Sequence, residues 1–155
     1  MSSVPEPSRD LVAHGSSENL ESDPLVRCTK ILRTLFSRIN NRQLDLTEPF
    51  WHLHFSPQYT FSGSGLLDLS SEDIVQVNLK QHLRQLWIMT AEEFPECYFK
   101  VKGLRTEKID FGLRSSVEYD LFGAPVGVRR SYAAEVVWDP WGRVARIWAM
   151  AGCGM

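Results

Sequence analysis

Apolar positions along this chain recur first with a helical period and then with a strand period. Leu25, Cys28, Ile31, Leu32, Leu35, Phe36 and Ile39 fall three or four residues apart, with Arg27, Lys30, Arg33 and Arg38 largely on the opposite side. That spacing predicts an amphipathic helix. Asp23 suits its N-cap, Pro24 its first turn, and Asn40-Asn41 its stop. Residues 47–55 predict a short second helix, with Thr47 as cap, Pro49 in the first turn and Ser56-Pro57 beyond its end. Residues 58–62 alternate as a short strand, Tyr59 and Phe61 on one face and Thr60 on the other, before a turn allowed by Gly63 and Gly65. A third helix is expected to start at Ser70, with Asp73 completing a capping-box variant, and to end near Phe94-Pro95. Its buried stripe is read as Val75, Leu79, Leu83, Leu86 and Thr90, widened by Ile74, His82 and Trp87.

From Cys97 onward the period is two. Residues 97–110, 115–122, 126–138 and 143–152 read as four strands, the first bent or bulged at Gly103. Gly123-Ala124-Pro125 and Asp139-Pro140-Trp141-Gly142 have turn chemistry, so neighbouring strands are expected to pair antiparallel. Helices followed by a long antiparallel sheet give an α+β fold. Residues 1–22 are rich in Ser, Pro, Glu and Gly and poor in large apolar side chains, which predicts a disordered tail ahead of a single domain over residues 23–155. Deleting that tail is expected to leave the fold intact.

Composition removes several function classes. The chain has 155 residues and a formal net charge of −2, with Glu6, Asp10, Glu18, Glu21 and Asp23 against Arg9 alone before position 24. Nothing resembles the basic stripe that nucleic acid requires. No apolar run is long enough to span a membrane, and the N-terminal stretch is not built as a signal peptide, so a cytoplasmic protein is expected. Cys28, Cys97 and Cys153 have neither disulfide-framework nor zinc spacing and are read as free thiols, with a nucleophilic Cys97 or Cys153 as the less favoured alternative. No phosphate loop, histidine metal motif or serine elbow is present, so no metal or cofactor is expected.

Three stretches carry a family resemblance: residues 50–61 (Phe50-Trp51 through Phe55-Ser56-Pro57-Gln58-Tyr59-Thr60-Phe61), the Ser70-Ser71-Glu72-Asp73-Ile74 helix start, and Trp138-Asp139-Pro140-Trp141-Gly142-Arg143-Val144. With the order of elements, they resemble the NTF2-like superfamily, most closely its SnoaL-like branch, over residues 24–152. The resemblance implies a cone, in which a strongly curved sheet wraps a long helix around an apolar cavity. It also implies a homodimer through the outer sheet face. Members include isomerases, dehydratases and polyketide cyclases of specialised metabolism, and also adaptors without catalysis. The ketosteroid-type members use an aspartate after the first strand and a second carboxyl group on the third strand of the long sheet. This chain has Ser62 or Gly63 and Ala134 there, so that carboxylate mechanism does not carry over.

By the resemblance, the face of residues 126–138 that holds Arg130, Tyr132, Ala134 and Val136 points into the cone. Val117, Tyr119 and Leu121 would join it from the preceding strand, and Ala145, Ile147 and Ala149 from the last. Glu118, Asp120, Trp148 and Met150 would lie outside. Glu135 becomes a candidate acid or base only if that strand is flipped. The expected catalytic residues are His54, Tyr132, Arg130 and Tyr119. Histidine can exchange a proton near neutral pH, tyrosine can donate to a developing oxyanion, and arginine can hold one. Trp51, Tyr59, Phe61, His82, Trp87 and Tyr98 are the expected substrate-binding residues. The expected function is cofactor-free isomerisation, cyclisation or dehydration of an apolar, ring-containing small molecule. The alternative is a non-catalytic ligand-binding or dimerisation module.

Overall fold

The structure, a computed structural model, describes residues 23–63 and 75–152. Helix α1 (Pro24–Asn40) starts as its sequence dictates: the Asp23 carboxylate accepts from the Leu25 N–H at 2.9 Å and Pro24 occupies the first turn. Its buried stripe is Cys28, Ile31, Leu32, Leu35 and Ile39. Helix α2 (Pro49–His54) is shorter than its pattern suggested, with Glu48 rather than Thr47 at the N-cap. The N–H and hydroxyl of Thr47 both donate to Asp45 instead, at 2.9 and 2.8 Å, which commits Thr47 to the preceding turn.

Strand β1 (Phe55–Gly63) follows directly, then β2 (Val75–Asn78) and helix α3 (Leu79–Trp87). The expected third helix is corrected here, because Val75 belongs to a strand. The run Val75-Gln76-Val77-Asn78 also alternates with period two, Gln76 being exposed and Val77 buried, and β-branched residues favour an extended chain. The helix starts directly after this strand, on a capping box at Asn78. Asn78 accepts from the Gln81 N–H, and the Gln81 side chain accepts from the Asn78 N–H, both at 2.9 Å. The expected Ser70–Asp73 start lies outside the described residues, as do the 1–22 tail and Cys153. Past Trp87 the helix widens into a π-helical segment, Ile88–Glu93, closed by a Phe94 N–H to Met89 carbonyl bond of 2.9 Å.

Strands β3 (Tyr98–Ile109), β4 (Gly112–Phe122), β5 (Arg129–Trp138) and β6 (Val144–Ala151) complete a six-stranded sheet in the order β2-β1-β6-β5-β4-β3. The β3–β4 register shifts between Val101 and Gly103, the predicted bulge. The sheet is mixed rather than antiparallel throughout, since β1 runs parallel to β6 with Phe61 opposite Ile147. This pairing joins the early short strand to the last one, a contact that local patterning does not encode.

The faces of β4 to β6 follow the predicted alternation. Val117, Tyr119, Leu121, Tyr132, Ala134, Val136, Ile147 and Ala149 are buried, while Trp148 and Met150 are exposed on the outer face. Asp120 is also on the outer side but is enclosed, 3.1 Å from the Lys102 ammonium and accepting from the Ser131 hydroxyl at 2.8 Å. Helix α1 is moored to β3 by Asn40, whose amide donates to the Phe99 carbonyl at 2.8 Å and accepts from the Phe99 N–H at 2.7 Å. The helices thus cover the inner face of the sheet, and the space between them holds the candidate site.

Candidate active site

An apolar cavity of about 50 Å³ lies between α1, α3 and the inner face of the sheet. Helix α1 contributes Leu32, Leu35, Phe36 and Ile39, α3 contributes Leu86, and the strands contribute Phe61, Phe99, Val117, Ala134, Val136 and Ile147. His82 and Tyr119 are the wall residues that carry polar atoms. Alternation along β1 buries Tyr59 and Phe61 on this side, and the capped start of α3 turns His82, Leu83 and Leu86 inward.

The polar feature of the site is a hydrogen bond between Tyr59 Oη and His82 Nδ1, 2.9 Å long and buried. The His82 ring also stacks on Phe61 at a centroid distance of 3.9 Å. Burial pushes the imidazole pKa down to about 3 and the Tyr59 hydroxyl pKa well above its usual value. Both groups are therefore neutral at physiological pH, and one proton is shared along the Oη–Nδ1 line. If Tyr59 donates, His82 carries its own proton on Nε2 and can donate it; if Nδ1–H donates, Nε2 is a base.

The depressed histidine pKa has a consequence for stability. The native state holds His82 neutral, while the unfolded chain protonates it near pH 6.5. Its contribution is therefore fully present above pH 6.5 and is lost as pH falls from there toward 3. A denaturant titration at pH 5 is expected to give about 2 kcal/mol less stability than one at pH 7.5. His54, also lowered by burial and by the Arg27 charge, acts in the same direction. An unchanged stability between those pH values would contradict a buried neutral His82.

The other expected site residues are distributed as follows. Tyr119 and Phe61 line the cavity together with His82. Tyr132 is buried and stacks on Tyr119 at 5.3 Å, and its hydroxyl is enclosed with no partner among the described residues. Arg130 is half-buried at the start of β5, opposite Leu121. Trp51 is fully buried among Phe50, Phe55 and the Arg38 guanidinium rather than on the cavity wall. His54 is corrected to the outside of the cone: α2 is only six residues long, and its last turn sets His54 against Phe50 in a groove beside α1. Trp87 is 42% exposed, in a surface groove with Lys80 and Arg84, because the helix turns that position away from the stripe. Tyr98 is 48% exposed and stacks on Phe122 at 5.0 Å, since strand alternation buries its neighbours Cys97 and Phe99 instead. Glu135 lies near Arg114 at 3.5 Å on the face opposite Ala134, so the strand is not flipped.

The cavity residues not singled out as site residues from the sequence include Leu32, Leu35, Phe36 and Ile39 of α1, Leu86 of α3 and Phe99 of β3. For the helical residues the stripe was the available signal, but it marks a buried face without saying which part of it borders a void. Cys28 and Cys97 are buried free thiols, with burial pushing the Cys28 pKa up to about 11 and raising that of Cys97. Neither is activated as a nucleophile. Among the described residues, no three His, Cys, Asp or Glu side chains converge as metal ligands. No helix among them is long and apolar enough to cross a membrane.

No family model and no curated protein matches this chain. Solved structures do. BvnE pinacolase from Penicillium brevicompactum superposes with a TM-score of 0.59 at 10% identity, covering 84% of this chain and 86% of that one. A SnoaL-like protein of unknown function from Burkholderia thailandensis gives 0.55 at 13% identity over 80% and 93%. An LEH-like epoxide hydrolase from M. tuberculosis gives 0.54 at 12% identity over 83% and 84%. The chain therefore shares its fold, a curved sheet over helices, with these proteins, a SnoaL-like protein among them. At these identities the likeness concerns the fold, and activity has to be argued from the site.

Proposed function

We propose that this protein is a cofactor-free acid–base enzyme that isomerises, cyclises or dehydrates a small apolar, ring-containing molecule in its cone. The observation that carries this reading is the Tyr59–His82 hydrogen bond, in which His82 lies on a largely apolar cavity wall and Tyr59 backs it from behind that wall. His82 Nε2 takes or gives the substrate proton, and Tyr59 is a positioning residue that fixes the tautomer. Tyr119 supplies a second hydroxyl on the wall, and the Tyr132 ring backs it. Burial keeps the imidazole neutral and free of competing water, but the same burial makes it a weak base, so the proton it takes has to leave a developing negative charge on the substrate close beside the imidazolium. Neighbours of this fold named as a pinacolase and an epoxide hydrolase agree with small-molecule chemistry in such a cone.

A second reading has its own observation. At about 50 Å³ the cavity is smaller than a ring substrate, well below the several hundred Å³ usual for ligand pockets. A non-catalytic module that pairs through the exposed Trp148 and Met150 would fit a filled cone. Under the enzyme reading, the cavity has to widen to admit a ring substrate, and the same outer face joins two copies.

Ala134→Val separates these readings. Ala134 lines the cavity, so the two added methyl groups occupy the void. A panel of cyclic ketones, enones and epoxides is expected to raise the melting temperature of the wild type and to yield converted product. In the valine variant both effects should disappear, while its own stability changes by less than about 1.5 kcal/mol. A panel that neither binds nor reacts with the wild type would move the assignment to the non-catalytic module.

A further inference from the structure

Outside the cone, α1 and α2 enclose a groove of about 410 Å³, many times the volume of the internal cavity and within the range of small-molecule sites. Its apolar wall is Val26, Ile31 and Phe50. Arg27 and Lys30, three residues apart on one helix face, line it with two cations, and His54 closes it from α2. No carboxylate lines it.

These groups are held in place. One Arg27 nitrogen donates to the Gly142 carbonyl at 2.7 Å, which fixes the guanidinium beside the groove. The His54 ring packs edge-on against Phe50 at 5.0 Å. Its Nδ1 is enclosed without a partner among the described residues. The nearby cation Arg38 is already paired with Glu48 beneath Phe50. Among the described residues, by contrast, no carboxylate pairs with Arg27 or Lys30. A groove with an apolar wall, a doubly cationic side and no acid complements a molecule with a hydrocarbon body and an anionic head.

We propose that the α1–α2 groove binds an amphipathic carboxylate, its hydrocarbon part on Val26, Ile31 and Phe50 and its carboxylate between Arg27, Lys30 and His54. The site is separate from the cone, so it accepts such a ligand whether or not the cone is catalytic. It also accounts for a histidine whose sequence context suggested chemistry but which lies outside the cavity.

The test is calorimetric titration of the full chain with decanoate, using 1-decanol and decyltrimethylammonium as uncharged and cationic controls. Saturable binding of decanoate at one site per chain is expected, with both controls weaker by about tenfold or more. Lys30→Glu, at an exposed position, should lower decanoate affinity by about tenfold or more without shifting the melting temperature. Thr34→Trp should block the groove sterically with no change of charge. His82→Phe should leave decanoate binding unchanged, which keeps this result independent of the cone. Equal affinity for decanoate and decanol, or a Lys30→Glu chain that binds as tightly as the wild type, would overturn the proposal. So would binding that appears only after Glu18 and Glu21 are replaced by glutamine, because the groove would then belong to the chain's own acidic N-terminal stretch.

Discussion

Arg42→Ala is expected to destabilise the protein by about 3–5 kcal/mol, the largest effect of any substitution outside the hydrophobic core. Arg42 sits just past α1 with a φ of 57°, in the left-handed region that a non-glycine residue adopts at a cost. Its guanidinium justifies that strain by donating to four carbonyls: Asn40, Thr90 at 3.0 Å, and Pro95 and Cys97 at 2.8 Å each. These belong to the end of α1, the π-helical segment and the approach to β3, so one planar fork joins three pieces of chain. Removing it leaves several partly buried carbonyls without donors, each costing about 1–3 kcal/mol. Arg42→Gly relieves the backbone strain yet loses the same bonds, and is expected to remain destabilised by about 2 kcal/mol or more. Chemical denaturation of both variants checks this. Near-wild-type stability in Arg42→Gly would show that the hydrogen bonds contribute little.

The second large effect is on turnover. His82→Phe keeps the aromatic stack on Phe61 but removes the proton-transferring nitrogen, and is expected to reduce the rate by about 10²–10⁴-fold. It also strands the Tyr59 hydroxyl in the core, at a cost of about 1–3 kcal/mol. Tyr59→Phe removes the partner that fixes the tautomer, so its rate loss should be smaller and accompanied by a changed pH profile. The Tyr59→Phe/His82→Phe double variant should recover much of the stability while remaining inactive, because no unpaired polar group is left behind. Stability thus follows the pairing of the two groups, whereas activity follows chiefly His82. A merely structural pair would show the first pattern without the second.

The sequence carried the periodic parts of this molecule well. The stripe of α1, its Asp23-Pro24 start, the Gly103 bulge and the inward faces of β4 to β6 all follow from local alternation and capping chemistry. Val75 shows where that reasoning is ambiguous. The spacing from Val75 to Leu79 satisfies a helical stripe, yet Val75 and Val77 also satisfy a strand, and pairing with β1 decides between them. The parallel contact of β1 with β6 joins segments far apart in the chain, so no local pattern announces it.

The site was legible in composition more than in geometry. Tyr59, Phe61 and Tyr119 could be nominated because strand alternation turns them inward, and His82 because it flanks the buried stripe of its helix. The Tyr59–His82 bond depends on how α3 crosses β1, which spacing alone does not give. Tyr98 and Trp87 were nominated as aromatics near a pocket, but each sits one position off the buried face of its own element. His54 shows the same limit on a single short helix, where Phe50 and His54, one turn apart, both line the outer groove and not the cone.

The most direct measurement is deuterium wash-in. The protein is incubated in D₂O with a cyclic ketone or enone that raises its melting temperature, and label at the acidic carbon is followed by mass spectrometry. The account predicts label entering with the wild type, little or none with His82→Phe, and a rate that varies weakly between pH 5.5 and 8 because His82 stays neutral there. Equal wash-in by the wild type and by His82→Phe would contradict it, since the proton would then be moving through some other group.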